Sequence, residues 1–562
     1  MNISRFVNTR AAWCVVSVWL FSAVATSSWL LAESAGMAGD IVTGEEDVSL
    51  GGPWAAKVDK RYASPEAARS QLLGHRSRKT RRSGALTAST LDGLDPAVYG
   101  QWTTLGYRTT VRAIHVTLLR TGKVLLAAGS GNFKPDFAAG SFKAELWDPT
   151  DNSLVEVPPP GDMFCAGHVV EPDGNVLVMG GTIAYPAAGV GYKGSNKTYR
   201  FNVDTNTWEE KASMLKGRWY PTAILDPTGT KVLVYSGTDE NGNVPRTNEV
   251  YDRLADTWSF LPARQFPLYP GMLWTSKDQI FFSGASSTKT SKATGLLSPF
   301  TGGFKQVTGG IDMTRRAAAA TVFAGAVQNQ VAWLAGGGFP ASSSTVVTDL
   351  SQAQPVSVPG PVLPTAKAYV SAVNLPDLTV LETGGGTART TPVYEASIFN
   401  PTDGSIRSVA PPTIGRTYHS SAILLPDGSV ATFGGDPGGV TKTGLKKFEL
   451  RIEIYQPPYF FNGPRPTISS APVEVTYGGI YPIQASATDT SLATAVLMRP
   501  MSTTHSTDSN QRAVLLDLQL TEDGGVLVTM PSAHNIAPPG WYMLFLTDLL
   551  GRPSRAAWIH LS

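Results

Sequence analysis

The sequence predicts an all-β protein in which a seven-bladed β-propeller is followed by an immunoglobulin-like β-sandwich. One observation behind this prediction is a repeat of about fifty residues that occurs seven times before residue 460. A second is a set of new alternating apolar segments after residue 464, which do not fit the repeat. The composition agrees with both, because 56 glycines and 40 prolines suit many short strands joined by tight turns.

The chain begins with an apolar segment. Residues 11–31 carry no charge and follow Arg5 and Arg10, so we expect the rest of the chain to lie outside the cytoplasm, secreted or anchored to the membrane. Residues 1–31 suit both a cleaved signal peptide and an uncleaved anchor, and the sequence leaves both open. Residues 32–98 are polar and are expected to form a linker or a pro-region.

Each repeat contains an apolar strand, a turn and a second strand that ends in glycine, as in "FCAGHVVEPDGNVLVMGG" and "YHSSAILLPDGSVATFGG". A third strand with its own turn follows, and four strands per unit of this length are typical of kelch-type blades. The last copy lacks a fourth strand, whereas "YGQWTTLGYR" precedes the first copy without a partner. We therefore expect the N-terminal strand to complete the last blade, with the propeller at 99–460 and the sandwich at 461–562.

The charge balance excludes one class of partner. With 46 Lys and Arg against 44 Asp and Glu, the chain has no overall field to attract nucleic acid. We expect a monomer that acts on small molecules.

The turns align the copies with one another. Equivalent positions on the first strands of different blades form one layer around the central channel. The residues seven places before each turn are Ala113, Cys165, Tyr220, Tyr269, Tyr369 and His419, and the alignment passes over one degenerate copy near Ala318. The sequence therefore predicts that a thiol, several phenols and an imidazole meet at one level of the channel. Aromatic residues at such positions also occur simply as a plug of the channel.

This set of donors suits a tetragonal Cu(II) site better than zinc or magnesium. Tyr418, next to His419, adds a further phenol. A second imidazole is needed, and His505 is the candidate because the polar segment 498–512 is long enough to reach from the sandwich into the propeller. The other histidines are expected to be structural or solvated: His75, His115, His168, His534 and His560.

Four segments resemble the galactose oxidase and glyoxal oxidase family of mononuclear copper radical oxidases. They are "MFCAGHVV", "GRWYPTAIL", "GRTYHSSAILLPDG" and "STTHSTDSNQR" with "PPGWYMLFLTD", and the resemblance spans roughly residues 100–562. It implies one copper ion and a thioether bond between Cys165 and Tyr220 that yields a tyrosyl radical. It also implies Tyr418 as an axial ligand and catalytic base, and His419 and His505 as nitrogen ligands.

The sequence also departs from galactose oxidase. Residues 32–98 are too short and polar for that enzyme's N-terminal sandwich, so the chain resembles glyoxal oxidase and its bacterial membrane-associated relatives more closely. The loop "SGTDENGNVPRTNE" lacks the tryptophan that covers the radical in galactose oxidase, and Phe339, Tyr185 and Trp219 are the candidate replacements. We therefore expect small aldehydes such as glyoxal, methylglyoxal or glycolaldehyde, or primary alcohols, to be oxidised by O2 with formation of H2O2.

Two alternatives belong to other classes. A non-catalytic kelch propeller that binds glycan or protein through its rim would keep the repeats but would not need Cys165, Tyr220, Tyr418, His419 and His505 together. A sugar lyase or hydrolase would require carboxylates at the axis, and the aligned layer contains none.

Overall fold

The computed structural model describes residues 93–290, 292–309, 316–437, 448–521 and 525–562. The predictions for residues 1–31, and for nearly all of 32–98, therefore lie outside the described residues. Within the described parts of the chain, no helix combines the length and apolar character needed to cross a membrane.

A short helix and a long strand precede the repeats, namely α1 (Pro96–Tyr99) and β1 (Gln101–Arg108). The elements of the first three repeats are β2 (His115–Leu118), β3 (Val124–Gly129), α2 (Lys134–Ala138), β4 (Lys143–Trp147) and β5 (Leu154–Glu156), then β6 (Gly167–Val170), β7 (Val176–Met179), β8 (Thr182–Ala184), β9 (Lys193–Gly194), β10 (Thr198–Asn202) and β11 (Thr207–Lys211), then β12 (Thr222–Leu225), β13 (Lys231–Tyr235), β14 (Asn248–Asp252) and β15 (Thr257–Leu261).

The other four repeats continue in the same order. Their strands are β16 (Met272–Trp274), β17 (Ile280–Phe282), β18 (Gly295–Leu297) and β19 (Phe304–Gln306), then β20 (Ala320–Phe323), β21 (Val331–Ala335), β22 (Thr345–Asp349) and β23 (Ser357–Pro359), then β24 (Ser371–Asn374), β25 (Val380–Thr383), β26 (Gly386–Ala388), β27 (Thr391–Pro392), β28 (Ala396–Asn400) and β29 (Ser405–Val409), then β30 (Ser420–Leu424), β31 (Val430–Gly434) and β32 (Arg451–Gln456). Single 3-10 turns occupy Val327–Asn329 and Pro458–Phe460.

In the C-terminal domain, all regular elements among the described residues are strands. They are β33 (Thr467–Ser470), β34 (Glu474–Val475), β35 (Ile480–Ser486), β36 (Leu492–Met498), β37 (Ser502–Thr504), β38 (Thr507–Asp508), β39 (Ala513–Leu520), β40 (Val526–Thr529), β41 (Gly540–Asp548) and β42 (Ala557–Leu561).

The seven repeats form seven four-stranded units, which confirms the predicted propeller. Five are separate sheets, and the other two, β2–β5 and β20–β23, are joined through β37 and β38 into one ten-stranded sheet. The first strand of each unit is fully buried, whereas the outermost strands are partly exposed, as in β29. The strand β1 pairs antiparallel with β32, so the N-terminal strand completes the last blade as predicted.

Eight strands of the C-terminal domain are hydrogen-bonded in the order β33-β35-β40-β39-β36-β41-β42-β34. The long strand β39 pairs with β36 through its first half and with β40 through its second half, so it connects two layers around one apolar core. Among the described strands of this domain, the hairpin of β37 and β38 is the part that does not pair with these eight strands. It pairs with β2 on one side and with β20 on the other, which carries its tip into the propeller.

Candidate metal centre

The positions aligned in the sequence share one unusual backbone conformation. Five of the six, all except Ala113, have positive φ between 47° and 70°, a region that bulky residues rarely adopt: Cys165, Tyr220, Tyr269, Tyr369 and His419. Ala318, in the copy that the alignment passed over, has the same conformation, with φ of 57°. Backbone hydrogen bonds link neighbouring blades at this level, for example from Tyr220 N to Cys165 O at 2.9 Å and from Tyr269 N to Tyr220 O at 2.9 Å. Ala318 belongs to the same layer, since Tyr369 N donates to its carbonyl oxygen at 2.7 Å. The copy that the sequence alignment passed over is therefore in register.

His505 reaches this layer from the sandwich. It forms, with Ser506, the two-residue tip of the hairpin between Thr504 and Thr507, and both tip residues have positive φ, of 49° and 67°. This is the geometry of a type I′ turn, for which Asn-Gly is the usual sequence. A histidine and a serine at such positions are strained, and strained backbone is found preferentially where a side chain must be aimed at a site.

Two phenols and two imidazoles meet at the mouth of the propeller. The hydroxyl oxygens of Tyr220 and Tyr418 are in direct contact. The His505 ring lies 4.8 Å from the rings of both Tyr220 and His419, measured between centroids. Cys165 is buried beside them, with Sγ 3.7 Å from His505 Nε2. The donor atoms of Cys165, His419 and His505 all lie within 4.8 Å of one another.

Hydrogen bonds fix which nitrogen of each imidazole points at the site. His419 Nδ1 lies 2.8 Å from the Asp436 carboxylate, which can only accept, so Nδ1 carries the proton. His505 Nδ1 lies 2.7 Å from the Thr504 hydroxyl, which itself donates to the Ile114 carbonyl oxygen at 3.0 Å. That hydroxyl therefore accepts from Nδ1 of His505. In both rings Nε2 keeps the lone pair that a metal ligand needs.

Burial sets the protonation states of the donors that a cation would meet. Burial raises the pKa of the Tyr418 phenol well above its usual value, and the nearby Cys165 and Asp436 raise it further. Burial lowers the pKa of His505 well below its usual value, so the imidazole is neutral, which is its ligating form. A cation among these groups would lower the pKa of Tyr418 and stabilise its phenolate.

These residues fit a copper ion. Imidazole nitrogens and phenolic oxygens in a tetragonal arrangement are typical Cu(II) ligands. Tyr220, His419 and His505 are buried, and Tyr418 is half-buried at the mouth. Tyr220, Tyr418, His419 and His505 would hold the ion, with Cys165 next to Tyr220 in one buried cluster.

The other aligned phenols have different partners. The Tyr269 hydroxyl donates to the Ala166 carbonyl oxygen at 2.7 Å, and its ring stacks on His505 at 4.7 Å. The Tyr369 ring lies 5.4 Å from that of Tyr418 and lines a small cavity beside it. Both rings therefore support the site through packing.

The remaining histidines lie outside the donor set, and His75 lies outside the described residues. His115 and His168 are buried below the site, where His115 Nε2 accepts from Cys165 N at 3.2 Å and His168 Nδ1 lies 2.5 Å from Ser502 Oγ. His534 is exposed. His560 contacts the Glu474 carboxylate and the Pro172 carbonyl oxygen.

Of the three candidates for the cover of Tyr220, Trp219 is the one that stacks on it. Its indole lies parallel to the phenol, with centroids 3.8 Å apart and an interplanar angle of 11°. The ring of Phe339 lies beside Tyr369, and that of Tyr185 lies beside Phe137 and Phe164. The structure thus places Phe339 and Tyr185 away from the stacking position.

Sequence reasoning missed three residues near the centre. The Asp436 carboxylate accepts a hydrogen bond from His419. The antiparallel pairing of Ser420 with Gly434, extended by two residues, places Asp436 opposite Tyr418 and is a signal that could have found it. Arg389 carries its guanidinium 3.9 Å above the Tyr418 ring from an exposed hairpin. Tyr192 stacks on the outer face of Trp219. Neither of the last two has a signal in the repeat, because both come from inserted loops.

The chain is similar to several known proteins. The family described as "Galactose oxidase-like, Early set domain" matches residues 465–561, and the family described as "Kelch motif" matches residues 163–215. Galactose oxidase of Gibberella zeae is 27% identical over 455 residues, which cover 74% of this chain and 64% of the enzyme. An aldehyde oxidase of Vitis pseudoreticulata, named GLOX, is 35% identical over 170 residues, which cover 27% of this chain and 31% of that protein.

A solved structure shares the fold. It is a fungal alcohol oxidase of the AA5 family in complex with copper, with 23% sequence identity and a TM-score of 0.69, and the match covers 83% of this chain and all of that chain. The chain spans 64% of the length of the galactose oxidase that it matches. The C-terminal domain, at residues 465–561, matches the galactose oxidase-like early set family, and the chain is similar in sequence to a galactose oxidase and to an aldehyde oxidase.

Proposed function

We propose that this protein is a copper radical oxidase that oxidises small aldehydes or primary alcohols with O2 and releases H2O2. The observation that carries the proposal is the meeting of the Tyr220 and Tyr418 hydroxyls with the imidazoles of His419 and His505, next to the buried Cys165. A propeller that only binds glycan or protein has no use for such a buried set of donors, so that alternative is less favoured.

Copper bound by these side chains would supply a Lewis acid for the substrate oxygen and one of the two electron acceptors that the oxidation requires. Tyr418 supplies the base. As a phenolate it takes the proton of the substrate hydroxyl, and its position at the partly exposed mouth brings its oxygen within reach of an incoming molecule. Asp436 keeps His419 in the ligating tautomer throughout.

Tyr220 supplies the second electron acceptor. We propose that a Cys165 Sγ–carbon bond forms to the Tyr220 ring, with loss of the thiol hydrogen and one ring hydrogen. The two electrons and two protons released reduce one O2 to H2O2. The sulfur-substituted phenol is easier to oxidise than an ordinary tyrosine and takes the substrate's carbon-bound hydrogen atom when in its radical form. The shared buried cluster of Cys165 and Tyr220 and their backbone hydrogen bond support this pairing.

The dimensions of the mouth support small substrates. A small cavity next to the donors is lined by Ala318, Tyr369, Tyr418, His505 and Ser506, among others, and leaves little room for a sugar ring. Glyoxal, methylglyoxal and glycolaldehyde are the proposed substrates. An aldehyde hydrate and O2 would yield a carboxylic acid and H2O2, and a primary alcohol and O2 would yield an aldehyde and H2O2.

Peroxide release tests the function. The copper-loaded protein should form one H2O2 per oxidised substrate molecule across a panel of these aldehydes and of primary alcohols, and the zinc-loaded protein should form none. The proposal would be contradicted if the zinc-loaded protein formed H2O2, or if the copper-loaded protein formed no H2O2 with any substrate.

We also propose an extracytoplasmic location, which rests on the uncharged segment 11–31. A fusion of residues 1–98 to a phosphatase that is active only outside the cytoplasm tests it. Activity supports export, and an inactive fusion that accumulates in the cytoplasm contradicts it.

A further inference from the structure

Four aromatic rings form a continuous series that begins at the buried Tyr220 and continues through three half-buried rings. The Trp219 indole lies between two phenols, with Tyr220 on one face at 3.8 Å and 11° and Tyr192 on the other at 4.4 Å and 9°. The Tyr185 ring follows, 5.0 Å from that of Tyr192. We call Tyr220, Trp219, Tyr192 and Tyr185 the aromatic ladder. All four members are tyrosine or tryptophan, the aromatic side chains that are oxidised most easily, and packing alone would not require this choice.

The hydrogen bonds of the ladder differ from one end to the other. Trp219 Nε1 is buried and has no hydrogen-bond partner among the described residues, so an oxidised indole has no base to take its proton. The Tyr192 hydroxyl donates to the side-chain oxygen of Asn132 at 2.7 Å, and an amide is not a useful proton acceptor. If Trp219 or Tyr192 is oxidised, it therefore keeps its proton and takes an electron from a neighbouring ring of the ladder.

Tyr185, at the outer end, has a route for its proton. Its hydroxyl lies 2.9 Å from Ser130 Oγ, and Ser130 Oγ donates to the Asp162 carboxylate at 2.7 Å. Since the serine hydroxyl has one hydrogen, it accepts from Tyr185 while it donates to Asp162. Tyr185 is also half-buried, so a molecule in solution can approach it.

We infer that the aromatic ladder carries single electrons between Tyr220 and an outer-sphere one-electron acceptor, such as ferricyanide, at the surface near Tyr185. The acceptor takes one electron from Tyr185, whose proton moves to Ser130 as the serine proton moves to Asp162. Tyr185 is then reduced through Tyr192 and Trp219 by the Tyr220 phenolate, and the protons return. The net change is one electron from Tyr220 to the acceptor, which leaves Tyr220 as a neutral radical.

This inference rests on the proposed function, because it requires a stable radical on Tyr220. The test begins with the full chain loaded with Cu(II) and with Tyr220 not oxidised, so that radical formation requires the loss of a single electron. Ferricyanide is added in a stopped-flow instrument, and the appearance of the tyrosyl radical is followed by its optical absorption, with its final amount measured by electron paramagnetic resonance. Neither readout depends on substrate turnover.

Two variants interrupt the outer end of the ladder without removing a ring. Tyr185→Phe removes the phenol, and Ser130→Ala removes the proton route. Each should slow radical formation by about tenfold or more while leaving its final amount unchanged. Tyr235→Phe is the matched control, since the Tyr235 hydroxyl, at the end of β13, is buried without a hydrogen-bond partner among the described residues, and it should leave the rate unchanged.

The outcomes separate the two proposals. Radical formation at the parent rate in both Tyr185→Phe and Ser130→Ala would overturn the aromatic ladder and leave the proposed function intact. A parent protein that forms the cross-link and binds copper but yields no radical would overturn both.

Discussion

The indole of Trp219 and the phenol of Tyr220 stack face to face although the two residues are adjacent in the chain, with their ring centroids 3.8 Å apart. Successive side chains of a regular strand point to opposite faces. The positive φ of 70° at Tyr220 breaks this alternation and brings the two rings together. The rings of Tyr418 and His419, also adjacent in the chain, have centroids 3.7 Å apart but are tilted by 31°, and φ at His419 is 65°.

The first prediction concerns this stack. Trp219→Leu should shorten the lifetime of the oxidised Tyr220 by about tenfold or more, equivalent to ~1.4 kcal/mol in the barrier to its decay, because water gains access to the ring. The decay of the radical absorption in the absence of substrate measures it. Trp258→Leu, which removes another tryptophan that contacts a tyrosine, Tyr251 in β14, should have no effect. Equal lifetimes in all three proteins would show that Trp219 does not shield the radical.

The second prediction concerns the base. Tyr418→Phe should lower kcat/KM for aldehydes and alcohols by about 10²- to 10⁴-fold, because the variant has no oxygen to accept the substrate proton. Peroxide assays measure the rate, and metal analysis of the same samples measures bound copper. Tyr477→Phe, in the sandwich, is the control and should be fully active. A Tyr418→Phe enzyme that binds copper and keeps more than half of its activity would remove Tyr418 from the mechanism.

Asp436 provides the third prediction. Asp436→Asn should weaken copper binding by about 10- to 100-fold, since an amide holds the Nδ1 proton of His419 less strongly than a carboxylate does. Titration with a competing chelator gives the affinity. Asp403→Asn changes a turn residue far from the centre and should bind copper as the parent does. Identical affinities for both variants would mean that the hydrogen bond does not orient His419.

The fourth prediction concerns acid stability. Burial lowers the pKa of His168 from 6.5 to about 4. The unfolded chain therefore takes up this proton at a higher pH than the folded chain does. The stability that the neutral imidazole contributes is complete above about pH 6.5 and is lost as the pH falls through about 4, with a slope of up to ~1.4 kcal/mol per pH unit.

In the metal-free protein, His168→Gln should make the free energy of unfolding less dependent on pH in this range. Urea unfolding between about pH 4 and pH 7 measures the free energy of unfolding, and the difference between variant and parent should shrink as the pH falls. His534→Gln, at an exposed position, should run parallel to the parent. A parallel curve for His168→Gln as well would contradict the role of burial.

The fold and the main donors were predictable because two strong periodicities coincide. Alternating strands define the blades, and the turns set a register that brings Cys165, Tyr220 and His419 to one level, since first strands line the axis. The degenerate copy near Ala318 escaped this register because its turn is replaced by a 3-10 turn at Val327–Asn329.

The stacking partners were harder to predict. Trp219 was one of three candidates, and only the left-handed conformation of Tyr220, which no sequence pattern reveals, makes it the cover. Tyr192 comes from the loop between β8 and β9, and Arg389 from the hairpin of β26 and β27. Such insertions follow no repeat, so their side chains can be placed only when the loop conformation is known.

The proposed bond between Cys165 and Tyr220 is central to the oxidase mechanism, and mass spectrometry of the peptides that contain the two residues tests it most directly. After the protein has been loaded with copper in air, the two peptides should be found as one joined species that is two hydrogen atoms lighter than the sum of their masses. The Tyr220→Phe variant should not form this joined species. Two separate peptides of unchanged mass, with a thiol on Cys165 that still reacts with iodoacetamide after unfolding, would contradict the account.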